Sequence, residues 1–140
     1  MQTILVVDDN PRAREILRRR LEPAGYRVAE APGIDTAREQ LKSAEPELVI
    51  VDLVLPGTVG GEQLIAELDC GQGRYHVVAI SGAPERLAEL RARYPHVRAL
   101  PKPFTTEQLL DAVKGALAEP PRPTLRSRLA GFLAFLRPSA

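Results

Sequence analysis

A doubly wound α/β fold, with five parallel strands in one sheet and helices on both faces, is what this sequence predicts. Three observations carry it. Short apolar runs rich in Val and Ile recur at Ile4–Val7, Leu48–Val51, Val77–Ile80 and Val97–Leu100. The first three do not alternate with polar residues, as expected of strands buried on both faces. Stretches of helical periodicity separate them, so that a β-α unit repeats five times, and such alternation argues right-handed crossovers and one sheet covered on both sides.

Each element has its own signal. Ile4–Val7 leads into a helix over Pro11–Pro23, with Pro11 suited to the first turn, Gly25 just past the end, and Ile16, Leu17 and Leu21 on one side. Tyr26–Glu30 is more mixed in polarity and reads as an edge strand. Helices follow over Ile34–Ala44 and, after Leu48–Val51, over Gly61–Leu68, where Leu64, Ile65 and Leu68 form one stripe. Val77–Ile80 precedes a helix at Pro84–Arg93. Val97–Leu100 precedes one at Thr105–Leu117, with Leu109, Leu110, Val113 and Leu117 inward and Thr105 or Thr106, near Glu107, as N-cap. The flavodoxin-like strand order is the economical arrangement for five such units.

Residues 1–119 form this domain. At 120 the composition changes: "PPRPTLRSRLAGFLAFLRPSA" opens as a proline-rich hinge and continues as an Arg-flanked amphipathic tail with Leu125, Leu129, Phe132, Leu133 and Leu136 on one helical face. The charge divides at the same place. Met1–Glu119 holds 15 Lys and Arg against 18 Asp and Glu, whereas Pro120–Ala140 holds 4 Arg and no acid. A net charge of +1 over 140 residues points to neither a nucleic-acid binder nor a binder of acidic substrates. One cysteine, Cys70, permits no intrachain disulfide and fits a reducing cytoplasm. With only two histidines, far apart, a zinc site is not expected. The first residues enter an apolar strand with no basic region ahead of a long apolar stretch, so no secretion signal is expected. No apolar run approaches the roughly 20 residues that span a bilayer.

The chemistry lies in the residues that end the strands. The first strand ends at Asp8 and Asp9, the third at Asp52, the fourth at Ser81, and the fifth runs to Lys102. Open parallel sheets bind ligands outside the carboxyl ends of their strands, near the topological switch point, so three carboxylates, a hydroxyl and an ammonium are expected on one small surface. Three acids in so small a space need a proton or a cation among them. Oxygen-only ligands at a half-open site suit Mg²⁺, which keeps several waters and accepts one or two carboxylates plus phosphate oxygens. A carboxylate beside such a cation can attack phosphorus and form an aspartyl phosphate. Asp52, the central acid, is the expected acceptor, with Asp8 and Asp9 holding the metal. Lys102 and Ser81, the latter with a neighbouring amide, are expected to take the remaining phosphoryl oxygens. Gly57 and Gly82 are small enough to let backbone approach the group.

The segments "VVDDNP", "VIVDLVLPG", "AISG" and "LPKPF", each closing an expected strand, resemble the receiver domain of two-component response regulators, and the resemblance covers about Thr3 to Leu117. It implies a stand-alone phosphoacceptor module, not an ordinary enzyme, that catalyses its own phosphorylation and dephosphorylation. Asp52 would receive its phosphoryl group from a histidine kinase or phosphotransfer protein. Asp9, Asp52 and the Val54 carbonyl would bind Mg²⁺, Asp8 acting largely through water. Lys102–Pro103 would be a cis peptide. Three features depart from the family pattern. Ala99 stands where a Tyr or Phe usually turns inward as a switch, "GTVGG" follows Pro56, and Val54 and Ala83 border the phosphoryl site without a group to orient water. Slow self-dephosphorylation is the expectation.

Other readings compete. Asp8 or Asp9 alone can be a helix cap, Ser81 a turn residue and Lys102 a solvated loop cation. A phosphohydrolase of the haloacid-dehalogenase type needs a general acid two residues after Asp52, where Val54 stands. An unphosphorylated pseudo-receiver scaffold is compatible with Ala99. The tail reads as a helix folded back or a frayed end, as a docking helix for a downstream protein, or as a contact with an anionic membrane surface. It is too short for a DNA-binding output domain.

Overall fold

A computed structural model describes residues 1–54, 60–70 and 75–120. Gly57 and the amphipathic face of the tail lie outside the described residues. The elements run β1 (Thr3–Val7), α1 (Pro11–Leu21) with a 3₁₀ turn (Glu22–Ala24), β2 (Arg27–Ala31), α2 (Ile34–Ser43), β3 (Leu48–Asp52), α3 (Gly61–Cys70), β4 (His76–Ser81), α4 (Pro84–Arg93), β5 (Arg98–Pro101) and α5 (Thr106–Ala118). All strand pairs are parallel and the sheet order is β2-β1-β3-β4-β5. The direction of winding reverses beside β1, which leaves the switch point at the carboxyl ends of β1 and β3.

Period-two alternation divides the core. Ile4, Val6, Ile50, Val78 and Ile80 face Leu17 and Leu21 of α1 and Leu109, Val113 and Ala116 of α5. Leu5, Val7, Val49, Val51 and Ala79 face Ala37 of α2, Leu64, Ile65 and Leu68 of α3, and Leu87 and Leu90 of α4. Both layers are buried, and each fully buried aliphatic side chain stabilises by about 1.5–3 kcal/mol relative to exposure.

Four local details set the strand ends and caps. Asn10 caps α1, its Oδ1 accepting the Arg12 N–H at 2.9 Å, with Pro11 at the first position. Gly25 takes φ 100°, a left-handed conformation that ends the 3₁₀ turn and admits β2. At α5 the cap is Thr105, and its reciprocal partner is Gln108 rather than Glu107. Gly61 opens α3 hard against β3: a Cβ there would stand 2.5 Å from the Asp52 carbonyl oxygen and 2.8 Å from Val51 Cγ1. No larger residue fits without displacing the end of β3.

One inward assignment is corrected. Ile16 is 49% exposed. The buried stripe of α1 runs through Leu17 and Leu21, and Ile16, a 100° step away, sits at the helix edge beside Arg20 and Phe104.

Candidate functional site

The register brings the expected residues to one rim. Val7 is level with Val51, Asp52 with Ile80, and Ser81 with Pro101. Asp8 follows β1, Asp52 ends β3, Ser81 ends β4 and Lys102 follows β5. Asp8 and Asp52 are each 5% exposed, and Ser81 is fully buried.

Asp52 is held on both oxygens. Lys102 Nζ donates to Oδ2 at 2.8 Å and the Val54 N–H to Oδ1 at 2.8 Å. The Lys102 main-chain N–H donates to the Ser81 carbonyl at 3.0 Å, which extends the ladder past β5 and aims the lysine along the rim. The Lys102–Pro103 peptide is cis. The Ser81 hydroxyl oxygen accepts the Ala83 N–H at 3.0 Å, at the entry to α4.

Asp8 is fixed from three sides. Its N–H donates to the Ala31 carbonyl at 3.1 Å, its Oδ1 accepts the Asn10 N–H at 2.9 Å, and its carbonyl oxygen accepts from Arg14 Nη1 at 2.6 Å. Arg14 is tied to Glu30 of β2 at 3.2 Å, and Arg18 binds the same carboxylate at 2.7 Å. The structure thus brings Asp8, Asp52 and Lys102 together and places Ser81 at the adjoining strand end, while Asp9 is exposed on the loop. Among the described residues, no three His, Cys, Asp or Glu side chains gather closely enough to hold a metal ion between them. The acid cluster is a buried pair with an exposed neighbour.

Sequence reasoning missed Arg14 and Arg86. Arg86 Nη2 donates to the Leu53 carbonyl at 2.8 Å and to both Glu62 oxygens, at 2.6 and 2.7 Å. Arg14 lies six residues from Asp8 but 16 from Glu30, and Arg86 lies 33 from Leu53 and 24 from Glu62, so the packing of α1 on β2 and of α4 beside α3 completes both arrangements.

Electrostatics at the pair are unbalanced. The Asp8 carboxyl is pushed up from 3.8 to about 6, chiefly by burial. The neighbouring Asp52 carboxylate adds to the rise, while the Asn10 amide and the Lys102 ammonium oppose it. A raised carboxyl binds more protons folded than unfolded, so the folded state loses stability as pH climbs from about 4 through about 6, by on the order of 2–3 kcal/mol when complete. Asp8→Asn is expected to raise the melting temperature of the metal-free protein above pH 6, with the gain vanishing near pH 4. Thermal melts in chelator across that range measure it, and a gain independent of pH would count against the strained pair.

The comparisons with known proteins bear on this rim. The family model for the response regulator receiver domain matches residues 4–114. The chain belongs to that family. Receiver domains are the phosphoaccepting modules of two-component signalling, served by histidine kinases or phosphotransfer proteins. Sequence relatives include the C4-dicarboxylate transport transcriptional regulatory protein DctD of Pseudomonas aeruginosa, 35% identical over 119 residues, which cover 81% of this chain and 25% of DctD. The response regulator MprA of Mycolicibacterium vanbaalenii is 35% identical over 116 residues, 81% of this chain and 49% of MprA. The chain therefore spans a quarter to a half of these relatives' lengths. Among solved structures, the response regulator TrrA of Thermotoga maritima in complex with Mg²⁺ and BeF superposes with a TM-score of 0.75 at 27% identity, over 83% of this receiver domain chain and 99% of that one. The receiver domain of an HD domain-containing protein from Pseudomonas fluorescens gives 0.76 at 28% identity, over 83% and 94%. Among the described residues, no helix of this receiver domain is long and apolar enough to cross a membrane.

Proposed function

We propose that this receiver domain takes a phosphoryl group on Asp52 in a Mg²⁺-dependent phosphorelay and signals through phosphorylation-controlled protein contacts. One observation carries the reading: Asp52 is buried at the switch point, beside a second buried acid and 2.8 Å from the Lys102 ammonium. In the reaction an Asp52 oxygen attacks phosphorus of a phosphohistidine, the P–N bond breaks, and its electron pair returns to the imidazole. Charge on the transferring group spreads over its equatorial oxygens, so the site acts by positioning and neutralisation. Lys102 meets one oxygen, and the Ser81 hydroxyl, released from the Ala83 amide, meets another together with the Val54 N–H.

The donor set fits magnesium. Two buried carboxyls, one raised to about 6 chiefly by its burial, offer oxygen ligands only. Asp8, Asp9, Asp52 and the Val54 carbonyl are the groups that would hold the ion, Asp8 largely through water. When bound, it neutralises the acid pair and the incoming phosphoryl oxygens. Incubation with acetyl phosphate, followed by intact mass, tests the reading: one added phosphate is expected with Mg²⁺ and none in chelator. Equal uptake in both, or uptake in neither, would sink it.

Residues 1–119 are the phosphoaccepting unit in this proposal, and 120–140 the stretch whose composition suits a downstream protein. The donor's approach is favoured by the apolar rim of Ile16, Pro103 and Phe104 that opens beside Asp8 and Lys102. Val54, whose N–H meets Asp52 Oδ1, is 58% exposed and carries no group that can orient water. The phosphoryl group is accordingly long-lived. Val54→Asn is expected to shorten its half-life severalfold, as followed by intact mass after removal of the donor; an unchanged or longer half-life would contradict this.

A further inference from the structure

We infer that Arg86, outside the strand-end constellation, is a positioning residue for Asp52 and acts through the Leu53–Val54 peptide. The inference rests on the reading of Asp52 as phosphoacceptor. Arg86 sits in the first turn of α4, and its Nη2 lies 2.8 Å from the carbonyl oxygen of Leu53, the residue after Asp52. That carbonyl also accepts the Gly61 N–H at 3.2 Å. Leu53 C=O and Val54 N–H belong to one planar peptide unit and, in the trans form, point in opposite directions. Fixing the carbonyl end therefore fixes the amide end, and that amide is the donor seated on Asp52 Oδ1 at 2.8 Å. A guanidinium on the carbonyl also polarises the peptide and strengthens its N–H as a donor.

Glu62 and Gly60 complete the arrangement. Glu62 pairs with Nη2 and Nε of Arg86, at 2.6 to 2.9 Å, and ties α4 to α3. Gly60 leaves the space: a Cβ there would stand 2.7 Å from the Leu53 oxygen, 2.9 Å from Glu62 Oε2 and 3.2 Å from Arg86 Nη2. Arg86 thus does two separable things. It pairs α4 with α3 through Glu62, and it holds the peptide that presents an amide to the phosphoacceptor. Because the Ser81 hydroxyl oxygen accepts the Ala83 N–H, three residues before Arg86, the two uncharged donors expected to meet the phosphoryl group beside Lys102 are referred to the start of α4.

The two roles come apart in two substitutions. Arg86→Ala removes the ion pair and the carbonyl contact; Glu62→Ala removes the ion pair and leaves Arg86 able to reach Leu53. At saturating Mg²⁺, Arg86→Ala is expected to slow phosphate uptake from acetyl phosphate about tenfold, an amide preorganised for developing charge being misdirected rather than lost. Glu62→Ala is expected to stay within about twofold of the parent, while thermal stability falls in both. Arg86→Lys, which keeps a cation able to reach the carbonyl, is expected to recover part of the rate. In the unphosphorylated protein, the Val54 amide resonance in a ¹⁵N–¹H spectrum should move in Arg86→Ala and hold in Glu62→Ala. Equal slowing in the two alanine variants, slowing in neither, or equal movement of the Val54 resonance would overturn the inference. A parent that takes no phosphate strikes instead at Asp52 as acceptor, and the Val54 resonance then decides the positioning role by itself.

Discussion

Asp52→Asn is expected to take up no phosphate from acetyl phosphate or a phosphohistidine donor while keeping the parent's fold. The loss is complete because an amide oxygen is not a nucleophile toward phosphorus and no other acid occupies the same place. Asp8 accepts from the Asn10 amide and stands one strand away, and Asp9 is exposed. The fold survives because the shape is unchanged and Asn keeps an oxygen for the Val54 N–H, 2.8 Å away in the parent. Stability should rise slightly without metal at neutral pH. Burial continues to hold the Asp8 carboxyl up, but the neighbouring negative charge that adds to it is gone, and the Lys102 pair lost in exchange involves a half-exposed ammonium worth little. Intact mass and a metal-free melt check both parts. Phosphate on the variant, or a large fall in melting temperature, contradicts the account.

The second large effect is at Lys102. Lys102→Met keeps most of the stem and removes the charge 2.8 Å from Asp52 Oδ2. Loss of one preorganised charge aimed at the transferring group costs about a hundredfold in rate, so phosphate uptake should slow by that order under saturating Mg²⁺. Affinity for Mg²⁺ should move the other way, since the ammonium competes with the ion for the same carboxylate and repels it. The opposite signs separate this role from general damage, which would weaken both. Lys102→Arg is not expected to rescue, because a planar fork on a longer stem cannot replace a compact ammonium seated among strand ends. Phosphorylation kinetics paired with a Mg²⁺ titration of stability make the measurement; an unaltered rate, or weaker Mg²⁺ binding, would contradict the assignment.

Much of this was legible in the chain, for definable reasons. Strands buried on both faces need unbroken apolar runs, so Ile4–Val7, Leu48–Val51 and Val77–Ile80 announced themselves, and the structure adds only a residue or two at their ends. Reading the residue that closes each strand put Asp8, Asp52, Ser81 and Lys102 at one rim without any contact being known, because parallel strands in register deliver their ends there, whereas Asp9, read the same way, is exposed on the loop. Three details lay beyond that logic. Ile16 has the side chain of a core residue but falls a step outside the buried stripe, and periodicity does not resolve a residue at a stripe's edge. Gln108 rather than Glu107 closes the cap of α5, a choice set by where the third helical residue points back. Arg14 on the Asp8 carbonyl and Arg86 on the Leu53 carbonyl bind main-chain oxygens, which carry no sequence signature. Ala99, where the family resemblance leads one to expect a ring, is half-buried against the α2–α3–α4 face. A methyl group there has no second rotameric position to turn to.

The most direct test of the central claim is to locate the acyl phosphate. The parent is phosphorylated with acetyl phosphate and Mg²⁺, reduced with borohydride to convert the phosphorylated aspartate to homoserine, digested and sequenced by mass spectrometry. Homoserine is expected at position 52 and nowhere else. Homoserine at Asp8 or Asp9, or a phosphorylated chain that yields none, would contradict it.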